Sequence, residues 1–191
     1  MSSPSALTGI RVVDFSHVYQ GPVGTQILAD YGADVIKIER PEAGDWSRRW
    51  GPFVNGVSLP YAGLNRNKRS FALNLKSPPG LAAIRELIAT ADVVVHNFRS
   101  GVMEKLGLGY EQLAAANPGL VMLRLSGFGQ TGPMRDQAGF GAIGESMGGL
   151  RYVTGFPDRP PVRSNLSIGD AIASLHGVIG ALMALHHRNV N

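Results

Sequence analysis

The chain has 191 residues, of which 44% are hydrophobic and 17% charged, with a formal net charge of +4. That composition is globular, with room for one substantial core or for one domain and part of another. The absence of cysteine rules out a disulfide framework and thiolate metal ligation, and neither a signal peptide nor an apolar run long enough to span a membrane is visible, so the expected location is cytoplasmic.

The first apolar run, "IRVVDF" (10–15), predicts a buried strand. "GPVGTQILADYGADVIKIER" then predicts a Gly-Pro turn, a helix near 22–31 and a strand over 34–39. A Trp-containing segment, 45–60, reads as irregular. "RSFALNLK" (69–76) alternates like a strand, and "SPPGLAAIRELIATA" opens a helix with prolines where prolines are tolerated. "DVVVHNF" (92–98) predicts a fourth strand, and short helices follow near 101–106 and 110–116. "GLVMLRLSGFG" is a fifth strand running into glycines. Helices near 140–147 and 170–187 close the chain, separated by the proline-rich loop "TGFPDRPPVRS". Apolar strands alternating with helices predict an α/β fold, a doubly wound, mostly parallel sheet with helices on both faces.

Charge is unevenly spread. Residues 37–76 hold eight Lys/Arg against Glu39, Glu42 and Asp45, a local excess of five. Such a patch points to an anionic partner. No nucleic-acid-reading motif accompanies it, so a small phosphorylated ligand fits better. Two matches to G-x-G-x-x-G, "GFGQTG" (127–132) and "GFGAIG" (139–144), fail the context of a dinucleotide site. The first follows a strand but opens no helix, and the second opens a helix but follows a loop. No His pair has zinc spacing, so no metal site is expected. His17 stands apart, because the first βα loop is where such sheets bind ligands.

The stretch "SNLSIGDAIASLHG" (164–177) places Asp170 at the mouth of the most apolar helix in the chain. Taken alone, Asp170 reads as an N-cap favoured by the helix dipole.

Four ordered blocks resemble the class III CoA-transferases of the formyl-CoA:oxalate CoA-transferase type. They are "GIRVVDFSHVYQGPVGTQILADYGADVIKIERPEAGD", "LNRNKRSFALNLK", "ADVVVHNFRSGVMEKLGLGYEQLAAANPGLVMLRLSGFGQTGP" and the "GD" at 169–170. The resemblance covers nearly all of the chain and corresponds to the family's N-terminal half. It implies one Rossmann-like CoA-binding and catalytic domain over 1–191, incomplete by itself. It further implies an interlocked homodimer for the full-length family, and Asp170 as a nucleophile that forms a covalent aspartyl intermediate. The substrates implied are an acyl-CoA and a carboxylic acid, with coenzyme A entering as thioester substrate and no tightly bound cofactor. His17, Tyr19 and Gln20 would wall the thioester. Arg40, the segment Leu73, Asn74, Leu75 and Lys76, the turn Asn97, Phe98 and Arg99, and Lys105 would meet CoA. Lys105 stands where formyl-CoA transferase has an arginine, and Gly141 where it has a glutamate, so oxalate specificity does not carry over. The His-Asp pair of the racemase branch is missing near 140–141, which counts against racemisation. The sequence around 144–163 looks closer to transferases for succinate- or citramalate-like dicarboxylates, with Arg151 or Arg163 placed to pair with a distal carboxylate.

Overall fold

The structure, a computed structural model, describes residues 5–191. Its centre is a parallel five-stranded sheet in the order β5-β2-β1-β6-β7. The strands are β1 (Arg11–Asp14), β2 (Asp34–Glu39), β5 (Arg69–Ala72), β6 (Val93–His96) and β7 (Val121–Arg124). The remaining two, β3 (Phe53–Val54) and β4 (Val57–Ser58), form a separate antiparallel hairpin. Val12, Val13, Val93, Val94 and Val95 are fully buried, as strands covered by helices on both faces require. One core lies on the face of Val13, Ile36, Ile38, Ile84, Ile88 and Val94, the other on that of Val12, Val35, Val93, Val95, Leu125 and Val178.

The helices are α1 (Gln20–Asp30), α2 (Leu59–Asn65), α3 (Pro78–Ala89), α4 (Val102–Lys105), α5 (Tyr110–Ala114), α6 (Gly141–Met147) and α7 (Ile168–Val190). Strand order reverses at β1, which pairs with β2 on one side and β6 on the other. The crevice of a doubly wound sheet lies at that switch point, beyond the carboxyl ends of the strands.

Four expectations are corrected. The strand expected over 69–76 ends at Ala72. Leu73 N–H still donates to Glu39 C=O at 2.8 Å, but the Asn74 side chain then accepts from Lys76 N–H and Ser77 caps α3, bending the chain out of the sheet. Within the segment read as irregular, Ser58 caps α2, whose first turn holds Pro60. Asp170 is not an N-cap: α7 begins at Ile168 with Ser167 before it, and Asp170 lies inside the first turn. Finally, α7 is by length and composition apolar enough to cross a membrane, with a mean hydropathy of 1.6 over 18 residues. Its charged residues, Asp170 and Arg188, stand near the two ends, and glycine, alanine and histidine interrupt the apolar run between them. One stripe of α7, Ser174, Val178, Ala181 and Leu185, is nonetheless buried against the protein.

The direction of α7 follows from its contacts. Gly177 sits against the side chains of Leu123 and Leu125, at the carboxyl end of β7. Arg188, eleven residues on, pairs with Asp92 at 2.9 Å and donates to Gly119 C=O at 3.2 Å, at the amino ends of β6 and β7. The helix therefore runs antiparallel to the strands and lifts Asp170 about 10 Å past Gly177, beyond the carboxyl edge of the sheet. On its other side α7 packs against α1. A Cβ on Gly24 would lie 3.0 Å from Ser174 Oγ, so glycine permits this approach. Gln20 and Asp170 each lie one turn before that contact, at the same end of the two helices.

Candidate active site

The loops after β1, β2, β5 and β6 and the first turn of α7 all open on the carboxyl edge of the sheet. The residues expected to act together are thus brought to one edge by topology, although they span 17 to 170 in sequence.

Asp170 is half-buried, and among the described residues its carboxylate has no hydrogen-bond or ion-pair partner. It rests against Gly141, where a Cβ would come within 2.7 Å of Oδ2. Burial raises its pKa above the ordinary aspartate value; Glu145 adds to the rise and Arg163 opposes it. Glu145 is buried at 4% exposure, and its Oε1 accepts from Gly169 N–H at 3.3 Å. Its Oε2 has no hydrogen bond and lies 3.9 Å from Arg163 Nε. Nothing in the sequence reading singled out Glu145. Its only sequence signal was a lone acid in the otherwise uncharged helix "GAIGESM".

The first βα loop forms the other wall. His17 is half-buried, with its ring 5.8 Å from Phe98 and its Nδ1 buried without a hydrogen bond. Tyr19 precedes α1 and Gln20 begins it. Asn97 joins this wall, spending its carboxamide on the backbone of His17. Phe98 also stacks on His96, whose pKa burial pushes down to about 4. Leu73, Leu75 and Phe98 pack against the same core, which fixes the turns carrying Asn74, Lys76 and Arg99. Arg40, Lys76, Arg99 and Lys105 are exposed, and among the described residues none has a carboxylate partner within 4 Å.

The charge excess in 37–76 is revised by these contacts. Lys37 pairs with Asp45, Arg48 with Glu39, Arg66 with Asp30, Lys68 with Asp14 and Arg69 with Asp34. Most of the basic segment is thus neutralised within the fold, leaving Arg40, Arg49 and Lys76 for an external anion. Lys37, Asp45, Lys68 and Asp14 are almost wholly buried. Burial pushes the Asp14 carboxyl up, but Lys68, Lys37 and the Ser16 and Thr25 hydroxyls outweigh it and hold the pKa at about 2. Burial likewise pushes Lys68 down to about 8. The two G-x-G-x-x-G matches have a structural use: Gly127 and Gly139, their first glycines, meet backbone to backbone.

The parallel doubly wound sheet thus carries a half-buried carboxylate over its carboxyl edge and unpaired cations on the neighbouring turns. Residues 7–191 match the family described as CoA-transferase family III, and the chain belongs to that family. It is 51% identical over 186 residues to a succinyl-CoA–D-citramalate CoA-transferase of Chloroflexus aurantiacus, covering 97% of this chain and 46% of that protein. It is 44% identical over 183 residues to a succinyl-CoA:glutarate CoA-transferase of Mus musculus, covering 95% and 42% respectively. A solved CAIB/BAIF family protein from Brucella suis superposes with a TM-score of 0.93 at 40% identity, covering 98% of this chain and 50% of that one. The chain spans about half the length of the curated relatives it matches.

Proposed function

We propose that this chain is the N-terminal, CoA-binding and catalytic part of a CoA-transferase that moves coenzyme A between small dicarboxylic acids, with Asp170 as covalent nucleophile. The observation that carries the reading is the unpaired, half-buried carboxylate of Asp170 on the first turn of α7, over the carboxyl edge of the sheet. An ionised carboxylate needs no base to attack a thioester. One Asp170 oxygen adds to the acyl carbonyl, the C–S bond breaks, and CoA thiolate leaves a mixed acyl–aspartyl anhydride. The thiolate then attacks the aspartyl carbonyl, releasing the first acid and forming an aspartyl thioester. An incoming carboxylate reverses these steps and departs as the new acyl-CoA. Acyl activation is conserved throughout, so no nucleotide triphosphate enters.

Arg40, Lys76, Arg99 and Lys105 supply charge for the CoA phosphates. Arg163 is the cation beside Asp170 and fits the distal carboxylate of a dicarboxylic acid, which supports succinate-like over monocarboxylic substrates. The oxalate-specific branch is disfavoured by Gly141, which brings no carboxylate side chain to that place. The relatives named for succinyl-CoA point the same way. The exposed apolar side of α7, with Ile172, Leu175, Ile179 and Met183, supports a subunit or domain contact in the whole protein.

The test is Asp170→Ala in the full-length protein. Transfer from succinyl-CoA to a panel of dicarboxylates should fall by about four orders of magnitude or more, as for other covalent nucleophiles, with CoA-ester affinity kept. Near-normal turnover in this variant, or solvent deuterium entering the α-carbon without transfer, would remove the assignment.

A further inference from the structure

We infer that Lys37, Asp45 and Asn97 form a clamp that holds the loop after β1 in a disfavoured backbone conformation, and that all three are positioning residues for the site.

The observation is a strained residue with an explanation around it. Val18 has φ +72°. A β-branched side chain in the left-handed region is an outlier that persists only where its surroundings over-determine it. Here they do. Consecutive backbone groups from Ser16 to Val18 are held by side chains from three other segments. Lys37 Nζ donates to Ser16 C=O at 2.7 Å. Asn97 Oδ1 accepts from His17 N–H at 2.9 Å while its Nδ2 donates to His17 C=O at 2.8 Å. Both Asp45 carboxylate oxygens accept from Val18 N–H, at 3.2 and 3.3 Å.

The clamp is itself anchored. Lys37 and Asp45 are fully buried and pair at 2.9 Å. Asp45 also accepts from the backbone N–H and the hydroxyl of Ser47, both at 2.8 Å. Such a pair, with its hydrogen bonds met, is costly to break from one side. Asn97 extends the sheet where the backbone cannot. Phe15 N–H makes the last β1–β6 rung, to Val95 C=O at 2.8 Å, and the Asn97 carboxamide makes the next one to His17. Lys37 comes from β2 and Asn97 follows β6, so the clamp reaches across the switch point from both neighbours of β1. What it fixes is the run from His17 to Gln20, at the same end as Asp170. Asn97 is thereby assigned to shaping this wall, its carboxamide being engaged on both sides.

The role in catalysis rests on the CoA-transferase reading, whereas the clamp itself does not, and the experiment separates them. In the full-length protein, amide hydrogen exchange is measured at His17 and Val18, together with CoA-ester affinity and succinyl-CoA transfer, for Asn97→Ala, Asp45→Asn and each combined with Val18→Gly. In the unsubstituted protein both amides are expected to be protected, although neither lies in a helix or strand. Asn97→Ala is expected to speed His17 exchange at least tenfold, as a local opening does. It should also lower kcat by about tenfold to a hundredfold, the scale of a small misplacement, while the CoA-ester Kd changes less than threefold. Because glycine adopts positive φ readily, Val18→Gly is expected to restore much of the lost kcat in either background. Should Asp45→Asn fail to fold, the Asn97 pair of variants still decides. Rapid exchange at both amides in the unsubstituted protein overturns the clamp. So does a Kd rise in Asn97→Ala with unchanged exchange, or no rescue by glycine. An unsubstituted protein with protected amides but no transferase activity overturns the function and leaves the clamp standing.

Discussion

The two walls that meet over the carboxyl edge of the sheet are built to opposite standards. The wall made by residues 14–18, 37–48 and 97 is built around buried, ion-paired and hydrogen-bonded groups; Asp14, Lys37 and Asp45 have no exposure at all. The wall made by residues 140–170 is open. Phe140, Tyr152, Val153, Phe156 and Leu166 are exposed, and Glu145 Oε2, Arg151 Nε and Ser164 Oγ are buried without hydrogen bonds. Burial has opposite results on the two sides. Asp14, with two lysines and two hydroxyls, is held at about 2, whereas Asp170, with a carboxylate neighbour, is raised. A group kept ionised by partners serves structure, and a group left without them is available for bond making.

The difference is broken most severely at Lys37. Lys37→Met strands the buried Asp45 charge and is expected to cost about 3–5 kcal/mol of stability, measured by urea unfolding. A loss under 1 kcal/mol would mean that the first wall is not the rigid one. Arg40→Ala should leave stability unchanged and weaken CoA-ester binding roughly 10- to 150-fold once the ligand covers the contact. Calorimetry at low salt reads this, and an unaltered Kd removes Arg40 from the binding surface.

The pH dependence sharpens the comparison. Asp170 must be ionised to attack, so kcat/KM should fall as pH drops through its raised pKa, at a pH above the ordinary aspartate range. Glu145→Gln removes a charge that raises this pKa and should move the acid limb to lower pH. Arg163→Gln should move it to higher pH. Identical profiles for both variants would show that the limb belongs to another group. By contrast, the folded pKa of about 2 for Asp14 lies below its ordinary value. Its contribution to stability is therefore present at neutral pH and lost only as pH falls toward 2. The smallest effect is expected at Tyr152, 85% exposed. Tyr152→Ser should change stability by less than about 0.5 kcal/mol, and a larger loss in thermal unfolding would show that the second wall is packed after all.

The strands were legible because burial on both faces leaves apolar runs that need no partner to be recognised; "DVIKIE" was bounded to the residue. Asp170 was read as a nucleophile through the resemblance and as an N-cap through propensity, and the structure overturns the second reading. The cap was misplaced because Ser167, Ile168 and Gly169 could each begin the helix, and the choice is made by packing against α6. The short α2 escaped because seven residues with Pro60 and Gly63 show no helical period. The ion pairs were invisible for a different reason. Lys37 and Asp45 were counted as charges of a patch, and which acid neutralises which base is a property of the folded neighbourhood, not of the order along the chain. A lysine between two isoleucines in the middle of a buried strand was the available clue.

The contact between Asp170 and Gly141 bears on what position 141 can hold. The carboxylate occupies space that a side chain at position 141 would need. Even alanine there would compel the acid to swing away from its seat. A change at position 141 therefore reaches the carboxylate directly: a bulkier residue brings a new resting direction for its oxygens. Under the proposed reaction, residue 141 thus sets the line along which an Asp170 oxygen would meet the thioester.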